Sequence, residues 1–136
     1  MINPKELRIG NFVYVEKYKS KEQYITDVGS VGHWGIDGMA THSQDIEGDE
    51  CWPIPLTDDR LLKFGFEQDR ARLVLKTPLL QKCYFASSPY VGIIDGTTSI
   101  YLYHIDGMAI GKPINFVHQL QNLFYCLTGQ ELDVKL

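Results

Sequence analysis

Four histidines, three cysteines and seventeen acidic residues are the groups in this 136-residue chain that could hold a metal or move a proton. Their spacing fits none of the common arrangements. His33, His42 and Cys51 recur at nine-residue intervals, whereas zinc sites draw their ligands from close pairs. Asp45-Ile46-Glu47-Gly48-Asp49-Glu50 is dense enough in carboxylate to attract calcium. Its glycine stands fourth in the run, however, and an EF-hand loop needs one sixth. A solvated acidic loop is the simpler reading. Ser87, Ser88 and Ser99 could join His104 or His118 and an aspartate as nucleophile, base and orienter, but no Gly-x-Ser-x-Gly turn presents any of them. Phosphate loops and dinucleotide fingerprints are absent. The expectation is no metal, no cofactor and no catalytic residue.

Two patches could instead bind a partner. Tyr14, Lys17, Tyr18, Lys19, Lys21 and Tyr24 interleave lysines with aromatics, the pattern that holds a single nucleic-acid strand by phosphate contacts and base stacking. Glu16 and Glu22 dilute that charge, and a charged hairpin tip that keeps a sheet edge soluble is the competing reading. His118, Gln121, Asn122 and Tyr125 fall at i, i+3, i+4 and i+7, one helical stripe. No charged residue occurs from Pro113 through Gly129. An amide-rich uncharged face suits contact with another surface, where full charges would be costly to desolvate. That surface is either the rest of its own domain or a protein partner, including a second copy in a homodimer.

The elements that must position these patches are readable from pattern. Phe12 to Val15 and Tyr24 to Val28 are strand-like, with a shorter strand near Val31 to Met39 and an exposed loop at His42 to Glu50. Leu56-Thr57-Asp58-Asp59-Arg60-Leu61 opens a short helix: Thr57 is the N-cap, the aspartates suit the helix dipole, and Leu56 and Leu61 form a hydrophobic staple. Gly65 stops it. Strands then recur at Ala71 to Lys76, Lys82 to Ala86, Tyr90 to Ile94 and Ser99 to Ile105, an antiparallel meander. A last helix runs from an Asn115 N-cap to a Gly129 stop, with Phe116, Leu120, Leu123, Phe124 and Leu127 as its apolar face. Ile36-Asp37-Gly38-Met39-Ala40 returns unchanged at Ile105-Asp106-Gly107-Met108-Ala109, which is consistent with duplication or with a recurring Asp-Gly turn.

Gly10-Asn11 before Val13-x-Val15 resembles the opening of SH3-like small barrels. Over the whole length, three segments resemble a family of small proteins of gut bacteria and their phages or prophages. They are Glu6-Leu7-Arg8-Ile9-Gly10-Asn11, the run Pro-Ile-Pro-Leu-Thr-Asp-Asp-Arg-Leu-Leu-Lys-Phe-Gly-Phe at 53–66, and Val-His-Gln-Leu-Gln-Asn-Leu-Phe-Tyr-Cys-Leu-Thr-Gly-Gln-Glu-Leu at 117–132. The resemblance implies a phage or mobile-element origin. It implies no activity, so no functional residue is carried over.

Composition sets the outer limits. Hydrophobic residues make up 44% and charged residues 22%, ordinary for a globular chain. A net charge of −4 argues against broad phosphate-backbone binding, leaving room for a local basic patch. No apolar run approaches the roughly 20 residues of a membrane span. Met1 to Glu6 has no signal-peptide pattern, and an odd cysteine count suggests no disulfide framework. A cytoplasmic setting is expected. Taken together, these readings predict one α+β domain over residues 1–136. An SH3-like small β-barrel subdomain occupies 1–50. A short helix, an antiparallel β-meander and a C-terminal helix packed on it occupy 51–136. A non-catalytic protein-interaction or phage accessory module is the leading function, followed by a single-stranded nucleic-acid-binding module using the Lys17–Lys21 hairpin. A small-molecule binder is third and an enzyme last.

Overall fold

The computed structural model of the chain describes residues 2, 6–20, 23–32, 35–38, 50–87 and 96–135. They fall into two compact units, Met1–Ile54 with Val117–Asn122, and Pro55–Phe116 with Leu123–Leu136.

In the first unit, the β-forming run at Phe12 opens strand β1 (Phe12–Ser20), which pairs antiparallel with β2 (Gln23–Gly32). Strands β3 (Gly35–Gly38) and β4 (Glu50–Trp52) flank them in the order β3-β2-β1-β4. The expected SH3-like barrel is not confirmed: among the described residues the sheet is open. Closure would need a ladder between the outermost strands, and β3 and β4 each pair only with their inner neighbour. Asn11, Val13, Ile54, Val117 and Leu120 are fully buried in this unit. Of the acidic loop expected at His42 to Glu50, only Glu50 lies within the described residues, as the first residue of β4.

The second unit begins with helix α1 (Asp58–Lys63). As expected, Thr57 caps it, its Oγ1 accepting from the Arg60 N–H at 3.2 Å, and Gly65 leaves it at φ 100°. Leu56 and Leu61 are both fully buried. Five antiparallel strands follow in sequential order: β5 (Glu67–Asp69), β6 (Arg72–Leu75), β7 (Cys83–Ser87), β8 (Ile100–His104) and β9 (Ala109–Ile114). The meander is therefore present and open, but its outer strands differ from those expected. β5 turns into β6 through Arg70 at φ 57°, a conformation that an arginine does not advertise. β9 contains Pro113, which an edge strand tolerates because the N–H that proline lacks is not needed on the unpaired side of the sheet. The expected strand at Tyr90 to Ile94 lies outside the described residues. Leu73, Leu75, Phe85, Ile100 and Leu102 carry the buried face of this sheet.

Helix α2 (Val117–Thr128) ends at Gly129, φ 72°. Its N-cap is Phe116 and makes no side-chain cap bond; the expected cap, Asn115, instead accepts from the Ser99 hydroxyl at 2.7 Å. The buried stripe is Val117, Leu120, Gln121 and Phe124, spaced i, i+3, i+4 and i+7. Leu120 and Phe124 are buried as expected, but Phe116 and Leu123 are half-buried and Leu127 exposed, so the helix is rotated from the expected face toward Val117 and Gln121. The repeated pentapeptide takes two structures. Ile36 to Gly38 lies in β3, paired to β2, whereas Asp106-Gly107 forms the turn of the β8–β9 hairpin, Gly107 N–H donating to His104 O at 2.8 Å. Among the described residues, no helix is long and apolar enough to cross a membrane.

Candidate functional site

Strand β8 alternates from Ile100 to Tyr103. Ile100 and Leu102 are buried, whereas Tyr101, Tyr103 and His104 are half-buried, so the face opposite Ile100 and Leu102 carries the tyrosine rings. Tyr103 is the register partner of Tyr84 on β7. Their rings stack with centroids 5.5 Å apart and planes 19° from parallel, the offset geometry aromatic pairs prefer. The Tyr101 ring follows, 6.1 Å from that of Tyr103 and tilted 47°.

Two cations sit over these rings. Arg72 on β6 holds its guanidinium carbon 5.5 Å from the Tyr84 centroid and 5.8 Å from that of Tyr103. Lys76, one residue past β6, places its ammonium 5.5 Å from Tyr84. All three distances lie within the roughly 6 Å reach of a cation–π contact. Among the described residues, neither cation takes part in an ion pair. Beside them opens a groove of about 290 Å³, lined by Arg72, Lys76, Leu80, Cys83, Tyr84 and Ile105. The arrangement offers flat faces, two positive charges and an apolar floor within one sheet. It can attract and stack.

The polar stripe expected on the last helix is corrected. His118 and Gln121 are 2% and 1% exposed, because the stripe is where the chain's own start is held. Gln121 accepts the Phe12 N–H at 2.9 Å and donates to the Gly10 carbonyl at 3.1 Å. Asn122 donates to the Glu6 carbonyl at 2.8 Å and accepts from Asn11 Nδ2 at 2.8 Å and from Arg8 Nε at 3.2 Å. Of the four residues, only Tyr125 is exposed. The amides are thus spent inside the first unit. Burial pushes the His118 imidazole below its ordinary value, and the nearby Glu6 carboxylate opposes this with a smaller pull upward.

Compared with known families, curated proteins and solved structures, the chain has no match. Its function is argued from geometry.

The lysine–tyrosine hairpin is there in backbone. Tyr14, Lys17, Tyr18 and Lys19 lie on β1 and Tyr24 on β2, with Tyr18 and Tyr24 as register partners; Lys21 lies outside the described residues. Of the serines, Ser87 Oγ accepts the Leu73 N–H at 2.9 Å and Ser99 donates to Asn115; Ser88 lies outside the described residues. His104 pairs with Asp106 at 3.2 Å, in a turn where the Met108 N–H holds the Asp106 carboxyl below its usual range. Among the described residues, no cluster of three metal-ligating side chains forms.

Arg72, Lys76 and Tyr84 were not singled out by sequence. The available signal was the spacing of Arg72 and Lys76, four apart and so on one face of a strand running between them. Tyr101 and Tyr103 fall inside the strand expected at Ser99 to Ile105, and alternation alone does not say which residues of neighbouring strands lie beside them.

Proposed function

We propose that the protein is a non-catalytic binding module that takes a polyanionic macromolecule on the Tyr84–Tyr103–Tyr101 face. The observation that carries this is the placement of Arg72 over two stacked rings, with Lys76 over the first of them. A guanidinium on a ring face keeps its outward N–H groups available for an anion while the ring replaces part of its hydration. The interaction or accessory role expected from sequence is kept, with its surface moved from the last helix to this sheet. The resemblance to proteins of gut bacteria and their phages suggests the setting, a phage or prophage accessory protein in the cytoplasm.

The test is retention on an immobilised polyanion such as heparin at low salt. Wild type should be retained, and Arg72→Gln with Lys76→Gln should elute with the unbound fraction. Equal retention of both proteins would refute the assignment of this face.

A further inference from the structure

The polyanion that best fits this face is one that also carries flat rings. We propose that the partner is a single-stranded nucleic acid, with bases on the tyrosines and phosphates at Arg72 and Lys76. This rests on the reading of the face as the recognition surface. Three rings follow one another at 5.5 and 6.1 Å, and since Tyr84 and Tyr103 already stack on one another, unpaired bases are offered the ends of that run rather than each ring in turn. An acidic peptide would use the two charges but has no need of three aromatic faces. A duplex would offer phosphates but keeps its bases stacked on one another.

The groove supplies the second half of the argument. Arg72, Lys76 and Tyr84 belong both to the ring face and to the groove walls, so one strand can stack on the rings while its backbone turns into the charged end. Leu80 and Ile105 form apolar walls there and Gln81 a polar one, so the flat face of a base can be covered while its polar edge finds a partner. Aromatic platforms beside a basic groove bind single strands with little sequence preference, because every base has a flat face. The acidic strand β5, with Asp69 as register partner of Arg72, borders the site and confines the strand to the β6–β8 side.

The experiment is fluorescence anisotropy of the full chain with a labelled mixed-sequence DNA 12-mer, its RNA counterpart, the duplex and labelled polyglutamate. Single strands should bind more tightly than duplex and polyglutamate. Two phosphate contacts imply that affinity falls about 25-fold for a tenfold rise in salt. Tyr84→Ala should weaken single-strand binding about 5- to 150-fold, and Tyr84→Phe should leave it within about twofold, since the ring remains. Should Tyr84→Ala fail to fold by circular dichroism, Arg72→Gln with Lys76→Gln decides, by flattening the salt dependence. Polyglutamate binding that the charge variant abolishes, without single-strand binding, overturns this inference and leaves the polyanion face standing. No binding of either overturns both. Single-strand binding that none of these substitutions changes also overturns the inference, and points to the Lys17–Lys21 hairpin.

Discussion

Gln121 shows how one amide can do the work of two backbone partners. Its side chain satisfies both the Phe12 N–H and the Gly10 carbonyl from a position 1% exposed. Gln121→Ala would leave those groups in a site with little room for water, and each orphaned buried group costs about 1–3 kcal/mol. Urea denaturation should show a loss in that range or above, and a loss under about 0.5 kcal/mol would mean that the amide is not a clamp. His118 makes a pH prediction from the same helix. Burial holds its folded pKa below the ordinary imidazole value of 6.5, so as pH falls below about 6.5 the unfolded chain takes up a proton that the folded chain refuses. The unfolded state then binds more protons, and stability falls with falling pH until the folded imidazole titrates as well. Thermal unfolding between pH 7.5 and 5.5 should show this decline, and His118→Leu should flatten it.

At the scale of elements, punctuation was legible and strain was not. Thr57, Gly65 and Gly129 ended or began helices where their chemistry demands, since each supplies a cap or a left-handed residue that few others can. The rotation of α2 was illegible because a periodicity argument counts Gln121 as polar and so outside, whereas its bonds put it inside. The candidate site was legible only as an alternation of tyrosines on β8; which cations would cross over them depends on the β6–β7–β8 register, a long-range property. Strand β5 was hidden by its turn. Arg70 sits at φ 57°, a region that costs a side-chain-bearing residue about 1–2 kcal/mol. Arg70→Gly should therefore stabilise the second unit by about 0.5–1 kcal/mol in urea, after glycine's own entropy cost. Destabilisation would show that the arginine is held there by contacts worth more than the strain. The opposite change, Gly129→Ala, meets no atom within 4 Å but inherits φ 72°, and should cost about 1 kcal/mol.

For the whole molecule, charge and core make separate statements. A chain of net charge −4 should bind nucleic acid weakly and locally, since its overall field repels phosphate and only a short stretch attracts it. Composition predicted the repulsion; only the fold brings Arg72 and Lys76 to the same rings. Phe85, fully buried at the centre of the five-stranded sheet, is the position where truncation should be felt most. Phe85→Ala should cost about 3–5 kcal/mol, measured by loss of the cooperative unfolding transition at lower denaturant. A cost under about 1 kcal/mol would show that the second unit has no tightly packed interior.

The amide clamp also sets an order of events during synthesis. Asn11 and Asn122, bonded at 2.8 Å, are 111 residues apart along the chain. A ribosome therefore finishes the first strands long before it releases the helix that holds their approach segment in place. Until then the groups around Glu6 to Phe12 must be met by water or by a chaperone, and domains emerging at roughly 5–20 residues per second wait several seconds for the missing half. A nascent chain stalled before Val117 should be cleaved by protease near its N-terminus, and one stalled well beyond Gly129 should resist. The helix made later is the one that holds the earlier segment in place.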